Sequence, residues 1–251
     1  MKKSLLELYR EEKSMKLKGG LYHQTQIKLA YNSNRIEGSR LSEEQTRYIF
    51  ETNTLHVDPN KTADVDDIIE TANHFSCFDY MLDVAKKKLS EKVIKEFHRI
   101  LKSGISDSRR EWFIVGEYKT RPNIVGEKET TSPEKVGPSI AALLGLYHKE
   151  PVDFAALVDF HYRFEKIHPF QDGNGRVGRL ILFKECLKYE IVPFIIEDEY
   201  KLFYYRGLNE FEKTPGHLMD TCLSAQDKFR LMMEYFFPGA QGFSDLPIKN
   251  P

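Results

Sequence analysis

The chain has 251 residues, of which 41% are apolar, and its formal net charge is −1 at neutral pH. This length accommodates one compact core, or a core with an appendage. A near-neutral chain has no overall field that attracts nucleic acid or an anionic membrane surface, so we expect neither as a partner. The longest apolar runs, such as 180–183, are far too short to cross a bilayer, and the first residues lead into charged positions rather than an apolar leader.

The cysteines favour a reducing compartment. Cys77, Cys186 and Cys222 are widely spaced and lack the spacing of metal ligands. Because disulfides are rare in the cytosol, three such residues are most simply interpreted as reduced thiols. We therefore expect a cytoplasmic protein.

Apolar periodicity predicts helices along almost the whole chain, and hence an all-α fold. Ser90 and Ser132 are favourable N-terminal caps, and Pro133 suits a first helical position. The predicted helices cover residues 3–16, 21–37, 42–52, 63–88, 90–102, 133–148, 152–167, 174–190, 200–212 and 217–236.

Three regions follow from this pattern: N-terminal helices in 1–60, a core in 61–238 and a flexible tail in 239–251. The segment 52–62 contains proline and asparagine, so we expect it to link the first two regions.

The second predicted helix ends in the sequence Ser-Asn-Arg-Ile-Glu-Gly, residues 33–38. Ser33 and Glu37 are four residues apart and share a helix face. Taken alone, the segment is typical of a helix end, with a surface carboxylate and with Gly38 as the stop.

Residues 112–126 depart from the helical pattern. Two short runs of β-prone residues flank 119–122, which contains a proline. This arrangement predicts a β-hairpin that turns at 119–122.

Residues 168–179 combine a base, a carboxylate, flexible backbone and two guanidinium groups. These groups are His168, Asp172, Gly173, Gly175, Arg176 and Arg179. The carboxylate can hold a hard divalent cation, the glycines let backbone amides approach an anion, and the guanidinium groups can bind phosphate oxygens. The imidazole can accept a proton near neutral pH.

The position of this segment supports a phosphate site. Pro169 should end the helix before it, and the helix that begins at 174 directs free amides and its dipole at any bound anion. Arg176 and Arg179 lie three residues apart, on one face. A glycine turn between two helices, with solvated arginines, is the alternative interpretation. The convergence of residue types favours the phosphate site.

The same twelve residues match the Fic family signature H-x-F-x-[D/E]-[G/A]-N-[G/K]-R-x-x-R without a departure, and the chain resembles Fic proteins over most of its length. The resemblance implies a Fic-fold helical bundle with a short β-hairpin flap and N-terminal regulatory helices. It also implies a protein adenylyltransferase, which moves AMP from ATP to a Ser, Thr or Tyr hydroxyl.

In that resemblance His168 deprotonates the target hydroxyl, which attacks the α-phosphate of ATP, and Asp172 binds Mg²⁺. The residues implied to bind the nucleotide around them are Gly173, Asn174, Gly175, Arg176, Gly178 and Arg179. Ser33 and Glu37 match the family's inhibitory pattern [S/T]-x-x-x-E-[G/N]. The resemblance implies that Glu37 pairs with Arg179 and obstructs the γ-phosphate, which predicts a weakly active resting enzyme.

The resemblance also assigns residues 112–126 to a flap that pairs with the backbone of the target protein. The arm nearest the nucleotide would be Asn123, Ile124, Val125 and Gly126. Tyr204 and Tyr205 would line the nucleobase pocket, although two tyrosines at a helix start are more often half-buried packing residues.

The overall prediction is a Mg²⁺-dependent protein adenylyltransferase that uses ATP, modifies a target protein or itself, and is inhibited by Glu37. Two alternatives stay open. One is the reverse enzyme, a deAMPylase in which Glu37 orients a hydrolytic water, and the other is a non-catalytic Fic-shaped binding module. Assembly into a homo-oligomer is compatible with each.

Overall fold

The computed structural model describes residues 3–126, 128–149 and 151–238, and in these ranges ten α-helices and one two-stranded sheet are found. The predicted all-α fold is confirmed, and each predicted helix is present with bounds shifted by a few residues at most. The predicted tail at 239–251 lies outside the described residues. The helices are α1 (Leu5–Met15), α2 (Leu21–Ile36), α3 (Glu43–Thr52), α4 (Val65–Val84), α5 (Glu91–Leu101), α6 (Pro133–Tyr147), α7 (Phe154–Ile167), α8 (Asn174–Tyr189), α9 (Lys201–Glu210) and α10 (Gly216–Phe236).

Several helices begin at a side-chain cap. Ser4 and Ser42 form capping boxes at the starts of α1 and α3, and the Ser90 hydroxyl accepts the Val93 amide at the start of α5. Helix α2 begins differently, because its N-cap is a glycine without a side chain. There the Glu12 carboxylate, from α1, accepts the Tyr22 amide at 2.6 Å. One helix therefore caps the next.

Helix α8 lies at the centre of the molecule. Every residue from Asn174 to Leu187 is buried, and α8 packs against α7, α5, α4 and α2. Aromatic rings of Tyr9 and Phe78 meet Phe183 beneath it. Because α1 and α2 contribute to this same hydrophobic core, the N-terminal helices are packed into the body of the protein rather than laid upon it.

The β-hairpin is present, but the predicted position of its turn is wrong. Strands β1 (Ile124–Val125) and β2 (Lys128–Glu129) pair antiparallel, and Gly126 takes the positive φ of +61° that the turn requires. The segment before β1 forms no strand. Its Lys119 amide donates instead to the Pro169 carbonyl at 2.9 Å, which fixes the chain to the loop between α7 and α8.

Candidate active site

The loop between α7 and α8 carries the residues for which the sequence predicts phosphate chemistry. His168 ends α7 in the left-handed region, with φ of 53°, and its amide donates to the Phe164 carbonyl. Gly173, with φ of 82°, precedes the first residue of α8. A non-glycine residue is uncommon at a positive φ, so the surrounding structure must hold the backbone of His168 there. Its imidazole is therefore fixed at the start of the loop.

Asn174 and His98 hold the loop in shape. The Asn174 side chain accepts the Phe170 amide at 2.8 Å and donates to the Phe170 carbonyl at 2.9 Å. His98, from α5, stacks on the Phe170 ring at 4.0 Å between centroids and accepts the Gly116 amide. The Asn174 side chain therefore closes the loop upon itself.

The N-terminus of α8 is open to an anion, and Glu37 lies against it. Among the described residues no side chain caps α8, so its first amides are not occupied by a capping group. A Cβ added at Gly175 would lie 2.2 Å from Glu37 Oε1. The carboxylate at the end of α2 thus lies where a phosphate oxygen would approach the helix.

Arg179 is buried and is bound by the end of α2. Its guanidinium donates to Glu37 Oε1 at 2.7 Å, to the Ser33 carbonyl at 2.9 Å and to Ser33 Oγ at 3.0 Å. Burial acts to lower the pKa of Arg179, but the charge and hydrogen bond of Glu37, together with the charges of Tyr204 and Glu165, outweigh burial and raise that pKa. Ser33 and Glu37, which match the predicted inhibitory pattern, therefore meet the same arginine.

Arg176 and Asp172 belong to a second charged cluster. Arg176 contacts the Glu70 carboxylate of α4 and lies 3.3 Å from Asp172 Oδ2, and Lys102 contacts both carboxylates. Burial acts to raise the pKa of Asp172, but the charges of Arg176 and Lys102 hold it well below its usual range. Asp172 is therefore ionised at neutral pH, as a metal ligand must be.

His168 is a neutral base in this environment. Burial, assisted by the charge of Lys119, lowers its pKa to about 4. Burial likewise lowers the pKa of Lys119 to about 8, and its ammonium donates to Asn123 Oδ1 at 2.7 Å. Asn123 in turn donates to the Phe170 carbonyl at 3.2 Å, so the hairpin is tied directly to the loop of the base.

Of the remaining hairpin residues, Ile124 and Val125 are exposed, with Gly126 at the turn beside them. The strand they form has a free edge, since its one partner is β2 among the residues that the structure describes. An edge of this kind can pair with an extended peptide.

Tyr204 and Tyr205 do not share one environment. Tyr204 is buried behind Arg179 and its hydroxyl lies 2.7 Å from His161 Nε2. Tyr205 is half-buried, and its hydroxyl donates to the Ile36 carbonyl at the end of α2. Tyr204 therefore packs in the core, and Tyr205 contacts the helix that carries Glu37.

Gly178 faces α7. A Cβ at this position would lie 2.3 Å from Glu165 Oε1 and 3.0 Å from the His161 ring. Burial raises the pKa of Glu165 to about 8. Gly178 thus allows α7 and α8 to approach closely over a buried carboxyl group.

The sequence analysis missed four residues of this site: Glu70, His98, Lys102 and Lys119. Glu70 gave a signal that could have been recognised. It lies four residues before His74 and eight before Phe78, so it stands on the buried face of α4, where a carboxylate needs a partner. His98 and Lys102 are likewise buried polar residues on or just after α5.

The loop, the buried arginines and the hairpin tied to them can be compared with known proteins. The sequence profile of the Fic/DOC family matches residues 88–185, which include the whole loop and the first part of α8. This stretch of the chain is therefore similar to the Fic/DOC family. Solved structures agree on the fold: a Fic-domain-containing signaling protein from Bacteroides thetaiotaomicron superposes with a TM-score of 0.74 at 22% identity, over 95% of this chain and 97% of that one.

Curated proteins similar to this chain are named as adenylyltransferases. The protein adenylyltransferase Fic of Nematostella vectensis is 26% identical over 191 residues, which are 72% of this chain and 42% of that protein. The protein adenylyltransferase fic-1 of Caenorhabditis elegans is 28% identical over 199 residues, or 75% and 37%. The chain thus spans about two fifths of the length of these relatives. A solved structure of C. elegans Fic-1 gives a TM-score of 0.66 over 92% of this chain and 70% of that one, at 22% identity.

The donor set of this site fits a magnesium ion held jointly with phosphates. In residues 3–126, 128–149 and 151–238, no group of three or more His, Cys, Asp or Glu side chains is arranged to hold a metal. Asp172 supplies one hard carboxylate whose side chain is 51% exposed. Mg²⁺ typically takes one or two carboxylates and completes its shell with substrate phosphates and water.

In the part of the chain that the structure describes, no helix combines the length and the apolar character needed to cross a bilayer.

Proposed function

We propose that this Fic chain is a protein adenylyltransferase that transfers AMP from ATP to a Ser, Thr or Tyr hydroxyl of a target protein or of itself. The observation that carries the proposal is the arrangement of a neutral His168 beside an ionised Asp172 at the open N-terminus of α8. Base, metal ligand and anion site are the three requirements of this transfer. The names of the curated relatives support the same reaction class.

In the proposed reaction His168 removes the proton of the target hydroxyl. The hydroxyl oxygen forms a bond to the α-phosphorus of ATP, and the bond from that phosphorus to the bridging oxygen breaks, which releases pyrophosphate. With a pKa of about 4, His168 is in its base form at neutral pH. The exposed edge of β1 is proposed to register the target by backbone pairing.

The phosphates are proposed to bind at the first turn of α8. The backbone amides there would bind the α- and β-phosphates, and Arg176 and Arg179 would neutralise the outer oxygens. Mg²⁺ on Asp172 would neutralise part of the phosphate charge.

The resting enzyme is proposed to be restrained by Glu37. Its carboxylate is bound to Arg179 and lies against Gly175, so it competes with a phosphate group for both the guanidinium and the helix N-terminus. We expect ATP to bind in an unproductive position while this ion pair is intact. The three cysteines in the described residues are free and buried, which supports the proposed cytoplasmic location.

The test is transfer of label from ATP labelled at the α-phosphate. Glu37→Gly should incorporate label into protein in the presence of Mg²⁺ at a rate at least about tenfold above the unaltered chain, since it frees a buried arginine for the nucleotide. Glu37→Gly combined with His168→Ala should incorporate none. A well-folded Glu37→Gly variant that stays inactive with ATP bound, even with a cell lysate supplied as target, would contradict the proposal.

Removal of AMP is a second candidate for the same site. Glu37 contacts Arg179 through Oε1, and its side chain is 27% exposed, so the other oxygen can take a water molecule beside His168. Self-labelled Glu37→Gly protein is a suitable substrate. Loss of label on addition of the unaltered chain, and not of its Glu37→Gln variant, would support hydrolysis.

A further inference from the structure

Four charged side chains beside the proposed nucleotide site close into a ring. Lys102 bridges Glu70 Oε1 and Asp172 Oδ2. Arg176 bridges the same two carboxylates from the other side, through Glu70 Oε2 and, at 3.3 Å, Asp172 Oδ2. Cations and anions therefore alternate around the ring, and its formal charge is zero.

Three members of the ring are buried and one is exposed. Lys102, Arg176 and Glu70 are 2%, 4% and 8% exposed, whereas the Asp172 side chain is 51% exposed. Both cations contact Oδ2 of Asp172, and none of the ring contacts uses Oδ1. The ring thus binds one oxygen of this carboxylate and makes no contact with the other.

Lys102 is fixed by packing as well as by charge. It follows the last residue of α5, and its aliphatic stem lies against the backbone of Gly173, where an added Cβ would be 3.3 Å from Lys102 Cδ. The ammonium therefore lies at the base of the loop that carries Asp172.

We propose that Glu70 and Lys102 are positioning residues that set the charge around Asp172, and thereby the affinity of this site for a divalent cation. The inference rests on the proposed function, which brings such a cation to Asp172. Glu70 has no place in the family signature, and it acts on Asp172 only through the two cations that it neutralises.

The charge balance predicts that substitutions of Lys102 and of Glu70 change the affinity for a cation in opposite directions. Removing the Lys102 charge leaves two carboxylates with one arginine, and Asp172 Oδ2 with Arg176 as its one partner in the ring, which strengthens the attraction for a cation. Removing the Glu70 charge leaves two cations with Asp172 as their one anion in the ring. This change weakens the attraction of the site for a further cation. A ring that merely holds the loop in place would respond to both substitutions with weaker binding.

Binding of Mn²⁺ to the nucleotide-free chain, followed by water-proton relaxation, tests the proposal. We expect Lys102→Met to bind Mn²⁺ about tenfold more tightly and Glu70→Gln about tenfold more weakly, since each changes the local charge by one unit within a few ångströms. The double variant, whose ring is again neutral, should return toward the unaltered affinity. Lys102→Gln keeps hydrogen-bond donors without the charge and should follow Lys102→Met, so it decides the matter if the methionine variant fails to fold.

The controls are a matched exposed pair and the metal ligand itself. Lys86→Met and Glu190→Gln alter a surface ion pair of the same residue types and should leave Mn²⁺ binding unchanged. Asp172→Asn should abolish binding at the site. Weaker binding in both single ring variants, unchanged binding in both, or full binding in Asp172→Asn would each overturn the proposal.

This readout is separate from AMP transfer. If Glu37→Gly transferred no AMP but the Mn²⁺ affinities moved in opposite directions, the proposed function would fail and the role of the ring would stand. If Glu37→Gly transferred AMP but the Mn²⁺ affinities were unchanged, the proposed function would stand and the proposed role of the ring would fail.

Discussion

At Gly175 on α8, Glu37 leaves no room for a side chain. The position where a Cβ would stand is 2.2 Å from Glu37 Oε1 and 3.0 Å from an Arg179 nitrogen. A side chain here and the Glu37–Arg179 ion pair are therefore mutually exclusive. The backbone of Gly175 itself is helical, so nothing else in its conformation forbids alanine.

Gly175→Ala should consequently depend on the identity of residue 37. In the unaltered chain we expect it to lower the free energy of unfolding by about 1–2 kcal/mol, because the carboxylate must give up its bond to a buried arginine. In Glu37→Gly the cost should vanish, since alanine is the better helix former by about 1 kcal/mol.

Urea unfolding of the four proteins of this cycle measures the coupling between the two positions. A coupling of about 1 kcal/mol or more is expected. Additive effects would mean that Glu37 does not occupy the N-terminus of α8 in solution.

At the scale of the element, α2 is followed by Glu37 at one end and depends on α1 at the other. The Glu12 carboxylate is buried and accepts the Tyr22 amide at 2.6 Å, which gives this glycine-started helix the cap it lacks. A carboxylate at a helix N-terminus also interacts favourably with the helix dipole.

Glu12→Ala should therefore destabilise the start of α2. We expect a loss of about 1 kcal/mol, which for a chain of this length lowers Tm by about 2–4 °C in a thermal melt. Glu11→Ala, which removes an exposed carboxylate one residue earlier, is the control and should change Tm by less than about 1 °C. Equal shifts in the two variants would argue against the cap.

Elements were predictable where their signals are local. The serine cap of α5, the proline at the start of α6 and the apolar stripes along the chain place the helices within a few residues, although the Ser132 side chain makes no capping bond to α6. The hairpin turn was not predictable in this way. It depends on the bond from the Lys119 amide to the Pro169 carbonyl, which joins parts of the chain that no short window contains.

The residues of the site likewise divide into those with a local sequence signal and those brought in by contacts between distant parts of the chain. The residues of 168–179 form one contiguous segment, so a prediction of their chemistry needs only the order of the amino acids. Glu70 and Lys102 come from α4 and the end of α5, and only the packing of these helices on α8 brings them to Asp172. A charged residue on a buried helix face indicates that a partner exists, but it does not say which one.

At the scale of the whole molecule, three buried histidines link stability to pH. Burial is the main cause that lowers the pKa values of His74, His98 and His161 to about 3. In the unfolded chain a histidine titrates near about 6.5. Between these values the unfolded state binds more protons, so the free energy of unfolding should rise with pH from about 3 to about 6.5 and lose this dependence above that range.

His74 gives the sharpest test, because neither of its ring nitrogens has a hydrogen-bond partner among the described residues. His74→Leu should flatten the dependence of unfolding free energy on pH between about 4 and 6 by close to one proton, measured by urea unfolding at several pH values. His56→Leu, in the segment between α3 and α4, should keep the original slope. An unaltered slope in His74→Leu would show that this histidine is protonated in the folded chain.

The packing of α2 limits how the proposed inhibition by Glu37 can be relieved. Leu29 and Ile36 are in the hydrophobic core, and Tyr205 holds the carbonyl of Ile36, so the helix cannot leave without opening the core itself. Glu37 stands one residue beyond the helix, with part of its side chain in solvent. A change of rotamer at that one residue is enough to break its ion pair with Arg179, while the bonds from Arg179 to Ser33 stay in place. Switched-on and switched-off protein would then share the same circular dichroism and the same hydrodynamic radius, and only a probe of the side chain would tell them apart.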